Sequence, residues 1–140
     1  MLFELLSDIL KIDDVLIITK NIGAICEIRS NSLTIRQKEQ WITIGDNDGP
    51  AHIHINSKII KSAEFIQEEK PDRISFSVRF FDENKDRVIA AFFTKMYDAS
   101  KHLIPMRKEL YDSLNQKYSS KINFKKKSCL KKTSKKVSFF

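Results

Sequence analysis

The chain of 140 residues is poor in the residue types that build disulfide scaffolds, phosphate loops and membrane spans. Its two cysteines, Cys26 and Cys129, are too few for a disulfide framework and form no CxxC pair of the kind that binds zinc. The chain has three glycines, too few to suggest a glycine-rich loop that binds nucleotide phosphates through its backbone amides. The apolar start carries acidic residues and no preceding basic ones, so it predicts neither a signal peptide nor a membrane span. We therefore expect a protein of the reducing cytoplasm.

Sequence motifs of catalysis are also missing. The chain has no nucleophile elbow, no paired carboxylates in a recognisable setting and no arrangement of cysteine and histidine that would activate a nucleophile. The sequence therefore predicts a binding protein and not an enzyme.

The net charge of +7 is concentrated at one end of the chain. Eight of the 25 basic residues and none of the acids lie in residues 121–140, which leaves 17 basic against 18 acidic residues in 1–120. A length of 140 residues suits one domain. We predict a folded domain over 1–120 and a disordered, lysine-rich tail over 121–140.

Hydrophobic spacing indicates an α+β fold. Leucine and isoleucine recur at helical spacing in residues 2–10, and a second helix is predicted from Pro105 on a stripe of Leu103, Met106, Leu110, Leu114 and Tyr118. Between the helices, β-branched and aromatic runs predict strands at 15–18, 24–28, 41–44 and 62–67, with a hairpin over 74–81 and 87–93. Cys26 is expected to be buried in its strand.

The strand that carries His52 and His54 holds the most concentrated set of ligand-type side chains. Residues two apart on a strand point to the same side, about 6.5 Å apart, because the rise is about 3.3 Å per residue. The preceding turn, residues 45–50, resembles a calcium loop but lacks the closing glutamate of an EF-hand. Two imidazoles could bind a metal, although a closed zinc site needs four ligands, and they could equally be solvated surface groups.

The order of several segments resembles the ChuX/HutX intracellular heme-carrier family, which is related to one half of the HemS heme-utilisation proteins. The matching segments are Val15-Leu16-Ile17-Ile18, Ala24 with Glu27, Gly-Pro-Ala-His-Ile-His-Ile at 49–55, the apolar run at 60–66, Ser-Phe-Ser-Val-Arg-Phe-Phe-Asp at 75–82 and Leu103-Ile104-Pro105. The resemblance covers about residues 15–118. It implies a large antiparallel sheet with helices packed on it, a dimer, and heme binding in the cytoplasm.

Heme needs an apolar slot, one or two axial donors and cations for its propionates. The resemblance therefore gives roles to His52 and His54 as axial ligands, to Arg79 as a propionate anchor and to Phe81 as a wall for the macrocycle, provided that these side chains share one surface. Tyr97 is a further donor, with Met96 and His102 close to it in sequence. Arg79 could instead pair with an acid on a neighbouring strand. Heme breakdown is a weaker possibility than carriage.

The tail supports an alternative function. A dimeric, non-catalytic interaction module could use it to bind nucleic acid or another polyanion, because clustered lysines attract phosphates without sequence preference. The lysines assigned to this contact are Lys125, Lys126, Lys127, Lys131, Lys132, Lys135 and Lys136.

Overall fold

The computed structural model describes residues 1–124. Within them lie two helices and nine strands: α1 (Leu2–Leu10), β1 (Val15–Lys20), β2 (Ile25–Arg29), β3 (Ile35–Lys38), β4 (Trp41–Ile44), β5 (Ile53–Asn56), β6 (Ser62–Lys70), β7 (Arg73–Phe81), β8 (Arg87–Phe93), α2 (Pro105–Tyr118) and β9 (Lys121–Asn123). No helix in this part of the chain is long and apolar enough to cross a membrane.

The larger sheet has six strands in the order β2-β1-β8-β7-β6-β9, and all neighbours are antiparallel. The sheet is built around β8, which lies between β1 and β7 and is apolar on both faces, as the sequence predicts for a covered strand. The prediction of a large antiparallel sheet with two helices is confirmed.

Tyr111 is the most deeply buried side chain by which helix α2 packs on one face of this sheet. The ring of Tyr111 is fully buried and makes edge-to-face contacts with Phe65, Phe76 and Phe93, at centroid distances of 5.0 to 5.5 Å. Its hydroxyl donates a hydrogen bond of 2.8 Å to the carbonyl of Ser77, so the buried polar atom is satisfied. We call the opposite side of the six-stranded sheet the outer face.

The smaller sheet, in the order β3-β4-β5, covers another side of the same core. Ile42, Ile44 and Ile55 are buried and join the leucines of α1 in one hydrophobic cluster. Because side chains alternate along a strand, Thr43 and His54 point away from that cluster. The sequence did not indicate a second sheet, nor did it predict β3.

Two predictions about side-chain burial are wrong. Cys26 is exposed, because β2 is the edge strand of the sheet and no helix covers it there. On α2, Met106 and Leu110 are 80% and 41% exposed, and the buried side is formed by Tyr111, Leu114 and Tyr118. The prediction is right for Leu114 and Tyr118 and wrong for Met106 and Leu110, because the helix is rotated so that Tyr111 faces the sheet.

Arg107 explains this rotation. Its guanidinium donates hydrogen bonds of 2.8 to 3.3 Å to the carbonyls of Asp13, Asp14 and Thr94, which lie where β1 begins and β8 ends. A side chain fixed at the first turn of α2 sets which residues face the sheet four and seven positions later, and these are Tyr111 and Leu114.

The six-stranded sheet extends past the boundary at residue 120 that the charge pattern predicts. Lys121–Asn123 form β9, which pairs with the start of β6, and Ile122 is buried against Ala63. Residues 125–140, which contain the lysines assigned to polyanion binding, lie outside the described residues.

Candidate functional site

The two histidines lie side by side on the smaller sheet. His54 belongs to β5 and His52 directly precedes it; both are exposed, and their ring centroids are 5.1 Å apart in an edge-to-face arrangement. The prediction that they point to the same side of a strand is confirmed. Two accessible imidazoles at this distance offer nitrogen donors to one ligand.

Thr43 on the neighbouring strand orients one of these rings. Its hydroxyl oxygen is 2.9 Å from Nδ1 of His54, and the two residues face each other in the β4–β5 register. In the tautomer in which Nδ1–H donates this hydrogen bond to the Thr43 hydroxyl oxygen, the lone pair of Nε2 is free for a ligand, which is how proteins usually hold a coordinating imidazole. The sequence analysis did not identify Thr43, because its partnership with His54 depends on the strand register.

Further side chains complete the surface around the histidines. By the alternation along β3 and β4, Arg36, Lys38 and Trp41 point to the same side as Thr43 and His54. Trp41 is 43% exposed, although tryptophan is usually well covered. We call the surface formed by these residues with His52 the histidine face; it combines imidazole donors, an indole ring and two cations.

The Asp- and Gly-rich turn positions His52. Gly45 directly follows β4 and has a φ of +89°, and a Cβ atom there would lie 2.5 Å from the carbonyl oxygen of Ala51 and 3.1 Å from Cα of His52. Only glycine fits such a close approach at this φ. Among residues 1–124, no group of three or more histidine, cysteine, aspartate or glutamate side chains is placed to hold a metal ion.

Arg79, Phe81 and Tyr97 lie elsewhere, on or beside the six-stranded sheet. Their sheet contributes Phe76, Val78 and Phe80 to the shared core, so Arg79 points away from that core on the outer face. The sequence hypothesis required Arg79 to share a surface with the histidines. That requirement is not met, because the histidines lie on the other sheet.

Arg79 has the partner that the alternative interpretation predicts. Its guanidinium donates to Glu68 at 2.9 Å and to the hydroxyl of Ser77 at 3.0 Å. The guanidinium also lies over the ring of Phe92, 5.3 Å from its centroid. Phe81 is partly buried farther along the same strand, and it is Phe92, which the sequence analysis missed, that provides the ring for Arg79.

Tyr97 lines a pocket of about 390 Å³ on the outer face. Its hydroxyl accepts a hydrogen bond from the amide of Ile74 and donates one to the carbonyl of the same residue, both of 2.9 Å. To bind iron as a phenolate, Tyr97 would have to lose the proton that it donates to the carbonyl of Ile74. Met96, which lines the same pocket, is 3% exposed, and His102 is highly exposed beside Asp98.

Comparison with known proteins shows which protein family this chain matches and which solved structures share its fold. A protein-family model matches residues 3–122, while no curated protein sequence matches the chain. The heme-binding protein ChuX has a similar structure, with a TM-score of 0.68 at 11% identity over 81% of this chain and 70% of ChuX.

Two longer proteins contain a similar domain. PhuS, a heme-binding protein from Pseudomonas aeruginosa, gives a TM-score of 0.65 at 15% identity over 80% of this chain and 32% of PhuS. ChuS, a heme oxygenase from E. coli, gives 0.63 at 14% identity over 79% of this chain and 34% of ChuS. The chain thus corresponds to about one third of these proteins. From the family match over residues 3–122 and the shared fold, the chain belongs to the ChuX-like family.

Proposed function

We propose that this chain is a heme-binding carrier of the cytoplasm. The observation that carries the proposal is membership of the ChuX-like family over residues 3–122, together with the likeness to ChuX and PhuS, which are both heme-binding proteins. Because those structures are less than 20% identical to this chain, the heme site has to be argued from this chain's own side chains.

The histidine face has the chemistry that a heme site needs. His54 presents Nε2 while Thr43 holds its Nδ1, so His54 is the proposed axial ligand, with His52 as the second imidazole within reach. Trp41 offers an aromatic surface for the macrocycle, and Lys38 offers a cation for a propionate; the neighbouring guanidinium of Arg36 already donates to the carbonyl of Gly45 and to Oδ1 of Asn47. When bound, heme supplies an iron centre whose axial position accepts an imidazole nitrogen.

This assignment revises the role of the residues on the six-stranded sheet. Tyr97 is engaged by the backbone of Ile74, and Arg79 by Glu68, so neither is available without breaking existing bonds. Within the proposal, these residues and Phe81 support the outer face and do not contact the iron.

Hemin titration of three single variants tests the site. We expect His54→Ala to weaken and shift the Soret band and to lower hemin affinity by about tenfold or more, and His52→Ala to have a smaller effect. His102→Ala is the matched control, because this exposed histidine lies outside the histidine face. If His52→Ala and His54→Ala both titrate like His102→Ala, the assigned site is wrong. If Tyr97→Phe then changes the spectrum, the carrier function survives with a different ligand.

Carriage and breakdown differ in what happens to the bound heme. A carrier returns the same porphyrin, so the Soret band of the complex should persist when a reductant and oxygen are added. Progressive loss of the band, with release of iron, would reject the proposal of a non-enzymatic carrier.

The proposed homodimer is tested separately, by measuring the mass of the heme-loaded protein by light scattering.

The concentration of eight lysines in residues 121–140 favours a second candidate, an interaction module that binds polyanions through its tail. A truncation that tests it should follow Phe124, since removal of Lys121–Asn123 would also remove β9 from the sheet. The full chain should bind single-stranded DNA with a steep salt dependence that the truncated chain lacks. Equal binding by both forms would exclude the tail as the binding element.

A further inference from the structure

An irregularity in the β7–β8 hairpin places a second arginine on the outer face. Phe80 pairs with Ile89, but Phe81 pairs with Arg87, so Val88 is an extra residue in β8. Without it, Arg87 would follow Ile89 to the core side of the sheet. A bulge of this kind turns a side chain to the opposite face, and bulges are frequent next to binding sites.

Arg87 and Arg79 converge on one aromatic ring. The guanidinium carbons lie 5.8 Å and 5.3 Å from the ring centroid of Phe92. Burial and the neighbouring charge of Arg79 lower the pKa of Arg87. Two like charges over one ring repel each other unless anions balance them.

Only one of these arginines has such an anion. Arg79 is paired with Glu68, whereas Arg87 makes no ion pair and no side-chain hydrogen bond with any other residue in 1–124. A partly buried guanidinium without a carboxylate partner is costly, and an anionic ligand would remove that cost.

A pocket lies in front of the unpaired guanidinium. It has a volume of about 290 Å³, and its lining combines four cations, Lys20, Lys70, Arg79 and Arg87, with two acids, Glu27 and Glu68. Apolar side chains form the rest of the lining: Ile18, Ile25 and Phe92. The excess of cations selects for an anion, and the apolar wall selects for a hydrophobic body attached to it.

We propose that this pocket, which we call the Arg87 pocket, binds a carboxylate carried on a small apolar or aromatic body. The guanidinium of Arg87 takes the carboxylate in a two-bond contact, and Phe92 and Ile18 pack against the body. The inference does not depend on heme binding at the histidine face, which belongs to the other sheet.

Benzoate is the probe, titrated at constant ionic strength into the full-length, isotope-labelled protein and followed by NMR. We expect saturable shifts of the Arg87 side-chain Nε–H signal and the Phe92 amide signal, described by one dissociation constant. Arg87→Gln should weaken this binding by about tenfold or more, because a charged hydrogen-bond donor is lost. Lys101→Gln removes one charge from the exposed segment before α2, which does not line the Arg87 pocket, and should leave benzoate affinity unchanged.

Hemin titration of Arg87→Gln identifies the source of the carboxylate, because a heme propionate has the same chemistry. If hemin affinity falls together with benzoate affinity, the Arg87 pocket takes a heme propionate and the heme site assigned to the histidine face is wrong; if only benzoate affinity falls, the pocket takes a free acid. Non-saturating shifts in the wild type, or equal benzoate affinity in Arg87→Gln, would overturn the inference. Failure of hemin to bind the wild type would reject the carrier function and leave the benzoate result standing.

Discussion

Replacing Gly45 by alanine tests the link between the turn and the histidine face. At a φ of +89° the new Cβ atom would lie 2.5 Å from the carbonyl oxygen of Ala51, a backbone atom that cannot rotate away. The left-handed conformation costs alanine about 1 to 2 kcal/mol, and relief of the contact requires the chain before His52 to move. We expect a total loss of about 2 to 4 kcal/mol in the free energy of unfolding.

Urea unfolding followed by circular dichroism measures this loss. A slope of about 1 to 3 kcal/mol/M predicts that the midpoint falls by roughly 1 to 2 M. Gly23→Ala is the matched control, because the nearest atom to a Cβ there, Oδ1 of Asn21, is 3.8 Å away and its φ is not positive. That variant should change stability by less than about 1 kcal/mol.

The same variant should also weaken hemin binding, because the displaced segment carries His52. A hemin titration in the absence of urea measures this effect on the folded protein. If Gly45→Ala is as stable as Gly23→Ala, the close approach between Gly45 and Ala51 does not hold the smaller sheet together. If it is unstable but binds hemin normally, the turn does not position the ligand.

Three further predictions concern how the helices dock. Arg107→Met removes the donor from the carbonyls of Asp13 and Thr94, while that of Asp14 keeps the amide of Thr94, and it should cost roughly 2 to 4 kcal/mol by urea unfolding, with partial recovery in Arg107→Lys; an unchanged midpoint would show that water replaces the guanidinium. Leu114→Ala should cost about 2 to 4 kcal/mol and Leu110→Ala about 0.5 or less; equal costs would restore the stripe predicted from the sequence, because it contains both residues. Burial alone would raise the pKa of Asp8, but hydrogen bonds from Lys117 and Tyr118 lower it. A carboxyl group whose pKa is lowered on folding stabilises the folded state at pH values above its unfolded pKa of about 3.9. This stabilisation is lost as the pH falls through the folded pKa. The melting temperature of Asp8→Asn should therefore fall less steeply at acidic pH than that of the wild type.

Local patterns were sufficient for the elements whose partners are close in sequence. The leucine spacing of α1 and the alternation of Phe76, Val78 and Phe80 in β7 each predicted the buried side correctly, since one face of each element meets the core. The pairing of β1 with β8 joins segments more than 70 residues apart, so it could not be predicted from a local sequence pattern. For the same reason the sequence did not separate β3, β4 and β5 into a second sheet.

The candidate site was predicted only in part, and the reason is physical. Alternation placed His52 and His54 on one side of a strand, because that depends on the strand alone. Whether Arg79 shares their surface depends on which sheet each strand joins, and that is decided by core packing. Thr43 could be found only from the register, and Arg87 only from the bulge at Val88.

The openness of the histidine face bears on how a carrier releases its cargo. Most small-molecule sites enclose their ligand, whereas His52 and His54 are exposed on a sheet of four-residue strands. A porphyrin bound there would be held by one coordinate bond and by contact with Trp41, while its other side stayed open. An acceptor protein could then approach the free side before the bond to His54 breaks. A site of this kind sacrifices affinity for fast transfer, and a storage protein would need the opposite arrangement.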